Sequence, residues 1–207
     1  DNGINFLIVH EPTFYNHFDS EIPNKIGLEK KTLIEKAGVT IVRFHDFAHM
    51  ADTDLISEGM LKYMQLPGEC KLEKRHGGMD EVILDTPMTA TELAEYIENK
   101  LNIKHIKIAG CNDKKGQRIA CCFGTPGGVI EALDEYDFVL TGEICEWRDG
   151  EIARDYAQLG YTKAILVMGH IGSERAGMMH IADILKSRHP ELCIEYMECG
   201  EVYSYTD

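Results

Sequence analysis

Short apolar runs alternate with longer helical patterns along almost the whole chain, and that alternation admits few folds. Runs at Ile4 to Val9, Val39 to Phe44, His105 to Ala109, Arg118 to Phe123, Asp137 to Leu140, Lys163 to Met168 and Cys193 to Met197 are apolar or β-branched nearly throughout. Strands covered on both faces read this way, because neither side of the pleat meets water. Helical patterns fall between them at Ile26 to Ala37, Thr91 to Leu101, Gly128 to Leu133, Glu151 to Leu159 and Glu174 to Ser187. Thr89 and Glu92 stand at capping-box spacing, which starts the second helix near Thr89. The order strand, helix, strand predicts an α/β fold with mainly parallel or mixed sheets flanked by helices. The charged stretch from Cys70 to Glu81, with Gly77-Gly78 inside it, is expected to be an exposed loop. No linker or repeat divides residues 1–207, so the chain is one α/β domain, either a single unit or two intimately packed halves.

Charge narrows the class of partner. Twenty-one Lys and Arg face 35 Asp and Glu, a net charge of −14. Nucleic acid and anionic membrane surfaces both demand a basic face, so neither is expected as a partner. A small anionic substrate stays compatible, because a bound cation inverts the local sign. No apolar run approaches the roughly 20 residues of a membrane span. Seven cysteines, an odd number with no C-x-x-C pair, read as reduced, buried thiols in a cytoplasmic protein. The chain opens on Asp1, three residues before an apolar run. A preceding N-terminal element is therefore expected, with proteolytic maturation as the alternative.

Three predicted strands end in the same chemistry. The first runs into His10-Glu11-Pro12, the second into His45-Asp46-Phe47-Ala48-His49, and a late one into Gly169-His170-Ile171-Gly172-Ser173-Glu174. Open α/β sheets bind ligands outside the carboxyl ends of their strands. Imidazole and carboxylate together are the donor set for Zn, Fe, Mn or Co, and several carboxylates make two ions about 3.5–4 Å apart possible. Each residue also has an ordinary reading. His45-Asp46 serves equally as a hydrogen-bonded pair in a turn, and Glu174 as an acid in the first turn of a helix capped by Ser173. His17, His76, His105, His180 and His189 have no comparable setting. Thr141-Gly142-Glu143 comes directly after another strand and supplies either a turn or an acid that orients a ligand. Gly124-Thr125-Pro126-Gly127-Gly128 matches neither a Walker loop nor G-x-G-x-x-G, and reads as tight strand-to-helix packing ahead of an anion cradle. No G-x-S-x-G elbow marks a nucleophile.

In this order, V-H-E-P, R-F-H-D, L-T-G-E and G-H-x-x-S-E resemble the motifs of the Nif-three-like (NGG-interacting factor three) proteins, commonly described as dinuclear-metal proteins of GTP cyclohydrolase type 2 kind. The resemblance runs from about Ile4 to Glu201. It implies a site between two α/β halves, two divalent metal ions and a ring-like homohexamer. Two adjacent histidines usually open the family pattern, and here they are His10 and Glu11. The closing His and Glu, four apart, are intact as His170 and Glu174. The middle ligand is usually an Asp four residues after a His, and four from His45 lies His49. The two departures compensate, leaving three imidazoles and two carboxylates; Asp46 competes with His49 for the middle place. The expected metal set is therefore His10, Glu11, His170 and Glu174, with His49 or Asp46. The implied activity is metal-assisted hydrolysis of a small molecule or nucleotide, with a carboxylate or His45 managing protons. A non-enzymatic hexameric metal-binding or interaction scaffold is the alternative.

Overall fold

The computed structural model describes residues 3–20, 22, 24–72 and 79–206. The chain divides into two compact units, Asp1–Ala51 and Asp52–Asp207.

The first unit is one strand–helix–strand crossover. β1 (Phe6–Val9) and β2 (Thr40–Arg43) pair in parallel, joined through α1 (Lys25–Ala37). Asn24 caps α1, its side-chain oxygen accepting from the Gly27 amide at 2.8 Å. Gly38 ends the helix at φ 66°, a left-handed conformation that lets its N–H reach back to the last carbonyls. The parallel register aligns the two strand ends. Val9 lies opposite Arg43, and Phe44 donates its amide to the Val9 carbonyl at 2.8 Å. His10 and His45 therefore emerge from the same end of adjacent strands. A short helix, α2 (Asp46–His49), turns the chain directly after β2 and returns His49 toward both.

The second unit carries a six-stranded mixed sheet in the order β3-β4-β6-β7-β8-β5. Its strands are β3 (Gly68–Lys71), β4 (Asp80–Thr89), β5 (Lys107–Gly110), β6 (Lys115–Cys122), β7 (Phe138–Thr141) and β8 (Ala164–Val167). β6, β7 and β8 are parallel, and antiparallel strands flank them on both sides. All four β7 residues are buried, as a central strand covered on both faces requires. Alternation divides the core. Ala120, Cys122, Val139 and Ile165 pack with Val129, Ala132 and Leu133 of α5 (Val129–Glu135) and Ala153 of α6 (Glu151–Gln158). α4 (Ala90–Leu101) packs on β4 and β8, and α3 (Leu55–Met64) packs on α4 and along α7 (His170–Arg188).

Several expectations need correction. The stretch from Cys70 to Glu81 is not a loop throughout: Cys70 and Lys71 close β3, and Asp80 opens β4, while residues 73–78, His76 among them, lie outside the described residues. Cys193 to Met197 forms no strand, because no neighbouring strand offers it a ladder among the described residues. α3 is absent from the sequence reading, although Asp54 caps it by accepting from Ile56 and Ser57 at 2.9 and 3.0 Å. The cysteines are less buried than expected: Cys111, Cys121 and Cys122 are inside, but Cys70, Cys193 and Cys199 are exposed. The Thr89–Glu92 capping box is present at the start of α4. No helix among the described residues is long and apolar enough to cross a membrane.

A buried acid fixes the turn before α6. Asp149 is 2% exposed, accepts from the Cys145 amide at 2.9 Å and pairs with Arg148 at 2.7 Å. The Arg148 hydrogen bond holds its carboxyl below the ordinary value of 3.8, against the opposing effect of burial. A depressed native pKa gives stability that is present above the unfolded value and lost as pH falls through the native one. Asp149→Asn is thus expected to cost about 1–3 kcal/mol at pH 7. The difference from wild type should shrink below about pH 4 in urea melts, as the wild-type carboxyl takes its proton.

Candidate metal centre

In the first unit the strand ends gather four histidines and two acids. One ring nitrogen from each of His10, His45 and His49 lies within 4.8 Å of the others. His10 Nε2 is 3.2 Å from His49 Nε2, and the His10 and His45 rings stack at 4.5 Å between centroids. His10 Nδ1 lies 3.2 Å from the Phe44 carbonyl. A carbonyl only accepts, so the proton sits on Nδ1 and Nε2 offers its lone pair. His45 Nδ1 meets Asp46 Oδ1 at 2.7 Å, which orients its Nε2 in the same way. Asp46 also lies 3.4 Å from His17 and 3.9 Å from Arg43. The His45 hydrogen bond first, with His17 and Arg43 adding to it, holds the Asp46 carboxyl below its ordinary value. Glu11 Oε1 approaches His45 Nε2 at 3.9 Å.

In the second unit α7 carries the other donors. Its N-cap is Gly169 at φ 81°, not Ser173, and the helix begins at His170, not Glu174. His170 and Glu174 therefore stand one turn apart on one helix face, with Nε2 3.3 Å from Oε2. Ser173 is displaced to a different task. Its hydroxyl accepts from the Gly124 amide at 3.0 Å and donates to the His170 carbonyl at 2.8 Å, tying the glycine-rich turn to the helix. Gly124 sits at φ +71°, and a Cβ there would lie 2.3 Å from Glu174 Oε1. The turn is thus tight packing against a buried carboxylate, consistent with the reading preferred from sequence. Behind His170, Nδ1 lies 3.2 Å from the Thr125 hydroxyl and 3.4 Å from Glu143 Oε2, and Thr125 donates to Glu143 at 2.6 Å. Glu143, directly after β7, thus lies where an acid could orient His170. Thr125 escapes the sequence reading, since nothing in the Gly-rich turn marks one hydroxyl as a link between an acid and an imidazole.

Each donor set fits a borderline divalent metal. In His10, His45 and His170 the second ring nitrogen already meets an acceptor, the arrangement that metal-bound histidines need. Two ligands at about 2.05 Å from a tetrahedral ion stand about 3.3 Å apart. The His10–His49 and His170–Glu174 separations, 3.2 and 3.3 Å, match that edge. His17 lies at the edge of the first cluster, against Asp46 and the His45 ring, contrary to the expectation that it has no such setting, whereas His189 meets Glu191 and His180 packs between Lys62 and Glu58.

The model of the family described as Duf34/NIF3 (NGG1p interacting factor 3) matches residues 1–200. The chain belongs to the DUF34/NIF3 family. A Campylobacter jejuni protein named GTP cyclohydrolase 1 type 2 homolog is 26% identical over 106 residues, 51% of this chain and 41% of that protein. The match therefore spans less than half of that relative's length. The crystal structure of a Bacillus cereus protein related to NIF3 superposes with a TM-score of 0.71 at 13% identity, covering 99% of this chain and 84% of that one. Staphylococcus aureus protein SA1388 gives a TM-score of 0.67 at 18% identity, covering 90% of this chain and 74% of that one. At such identities the likeness carries the fold alone, and the α/β architecture read from the sequence is shared with both.

Proposed function

We propose that the protein binds two divalent metal ions and hydrolyses a small molecule, in the manner of GTP cyclohydrolase type 2. The ligands are His10, Glu11, His170 and Glu174, with His49 as the fifth. His49 is favoured over Asp46 because Asp46 Oδ1 is already bonded to His45 Nδ1. The observation that carries the reading is the pairing of two of these imidazoles with orienting acceptors, the Phe44 carbonyl behind His10 and Thr125 with Glu143 behind His170. Family membership and the name of the Campylobacter jejuni relative support the reaction class.

Bound divalent ions supply a water acidified toward neutrality and polarise the substrate. The chain's own residues do the rest. Phe44 and the Glu143–Thr125 pair fix the tautomers of His10 and His170, so that lone pairs face the ion before any substrate arrives. Glu11 is half exposed, with Oε1 3.9 Å from His45 Nε2, so that a carboxylate held to the ion through one oxygen would keep the other to accept a proton from the attacking water. For a GTP-like substrate the bond broken is in the purine imidazole ring.

The test is a metal-loaded preparation incubated with GTP and other purine nucleotides, with purine absorbance as the readout. Turnover that falls at least 100-fold in His170→Ala and in His10→Ala is expected. Metal bound at stoichiometry, with no turnover of any purine or simple ester, would leave the scaffold. One observation favours that second reading: Phe6, Ile8 and Val42 of the two-stranded sheet are exposed apolar side chains. If they are covered by copies of the chain, light scattering should give a mass near six times 23.4 kDa.

A further inference from the structure

We propose that residues 1–51 hold one divalent transition-metal ion without help from α7, through Nε2 of His10, His45 and His49. The inference deepens the metal reading above and rests on it for the class of metal; what it adds is a ligand, His45, and a self-sufficient site.

Three observations carry it. The three imidazoles present nitrogens within 4.8 Å of one another, a spread that closes by about 1.5 Å at most around an ion whose ligands stand about 3.3 Å apart. The second observation is the tautomer. His45 Nδ1 lies 2.7 Å from Asp46 Oδ1, so Nδ1–H donates to the carboxylate and Nε2 is left as the coordinating atom. A carboxylate behind an imidazole raises its basicity as a ligand and fixes its ring. His10 is held likewise through Nδ1 on the Phe44 carbonyl. The third is the backbone. Parallel register brings residues 10 and 45 out side by side, and α2 places residue 49 one helical turn after residue 45, with the His49 amide bonded to the His45 carbonyl at 3.2 Å. All three donors thus come from ordered ends of one crossover, with no contribution from a flexible loop. Three imidazoles without thiolate select Zn, Co, Ni or Fe over Mg or Ca, and leave at least one position open. His45 is then a ligand and not a proton shuttle, and Asp46 its positioning residue.

The experiment uses the full chain. Metal-free protein is titrated with Co(II) and monitored by visible absorption, and the Zn-loaded form is examined by X-ray absorption for the number of imidazoles. His170→Ala, Glu174→Ala is expected to retain one equivalent with three imidazoles. Adding His45→Gln should weaken that binding at least 100-fold and lower the imidazole count to two. Asp46→Asn in the double-variant background should weaken it 10–100-fold with the count unchanged, which guards against misfolding of the His45 variant. Tight binding with an unaltered spectrum after His45→Gln overturns the inference. So does a double variant that binds nothing while wild type binds two ions, and that result leaves the two-metal reading standing. A wild-type chain that takes up no Co(II) or Zn(II) overturns both.

Discussion

Chelating the metals from the loaded protein is expected to lower its Tm by about 10–20 °C. An ion held at a hundred times its Kd stabilises the native state by about 2.7 kcal/mol, and two such ions by about twice that. For chains of this length each kcal/mol moves Tm by about 2–4 °C. The same chelator should produce about half the shift in His170→Ala, Glu174→Ala, where only the imidazole cluster of the first unit remains. The structural reason for the sensitivity is the acid on α7. Glu174 is 6% exposed, lies beside His170 and backs onto a glycine whose Cβ it would clash with. A cation bound by Glu174 and His170 would offset the cost of burying that carboxylate. The readout is differential scanning fluorimetry of loaded protein with and without chelator, at fixed protein concentration and pH. Identical curves for wild type in the two conditions would exclude metal as part of the native structure.

The donors are legible in the sequence because each stands directly after a short apolar run. Val9 and Arg43 end such strands, and the histidines beyond them need only the parallel register to meet. The start of α4 is legible for a similar reason, since Thr89 and Glu92 form a local motif that needs no distant partner. The features that stay hidden depend on distant partners. β4 contains Pro87, which reads as a breaker, yet its ladder with β6 shifts register between Ile83 and Met88, and there a missing N–H costs nothing. His170 reads as a loop residue because glycines at 169 and 172 obscure a helix, while the left-handed Gly169 is in fact its cap. Cys193 to Met197 has the pattern of a strand but no edge to join. Local pattern reports what a segment can do; whether it does so is decided by the surface it meets.

The hidden helix α3 shows the same rule, and it leads to opposite results for one substitution at two sites on α7. Gly59 weakens the helical signal of Leu55–Met64, but it is where α3 and α7 touch. A Cβ on Gly59 would lie 2.6 Å from Gly177 Cα, and one on Gly177 would lie 2.5 Å from Ile56 Cα. These are backbone atoms in buried helices and cannot step aside as a flexible side-chain end would. Gly177→Ala must therefore force the helices apart along a seam that includes fully buried Ile56 and Met60. Overpacking of this kind costs about 1–3 kcal/mol and, against backbone, should fall at or above the upper end. Gly172 lies five residues earlier in the same helix. There a Cβ would meet Ile103 at 3.8 and 3.9 Å and Met168 at 4.0 Å, which is ordinary contact. With no clash, replacing glycine by alanine removes unfolded-state freedom and stabilises the helix by about 0.5–1 kcal/mol. Urea melts should thus move the midpoint down for Gly177→Ala and up for Gly172→Ala, with m unchanged in both. Both variants shifting upward would mean that helix propensity, and not the closeness of α3 and α7, decides the outcome.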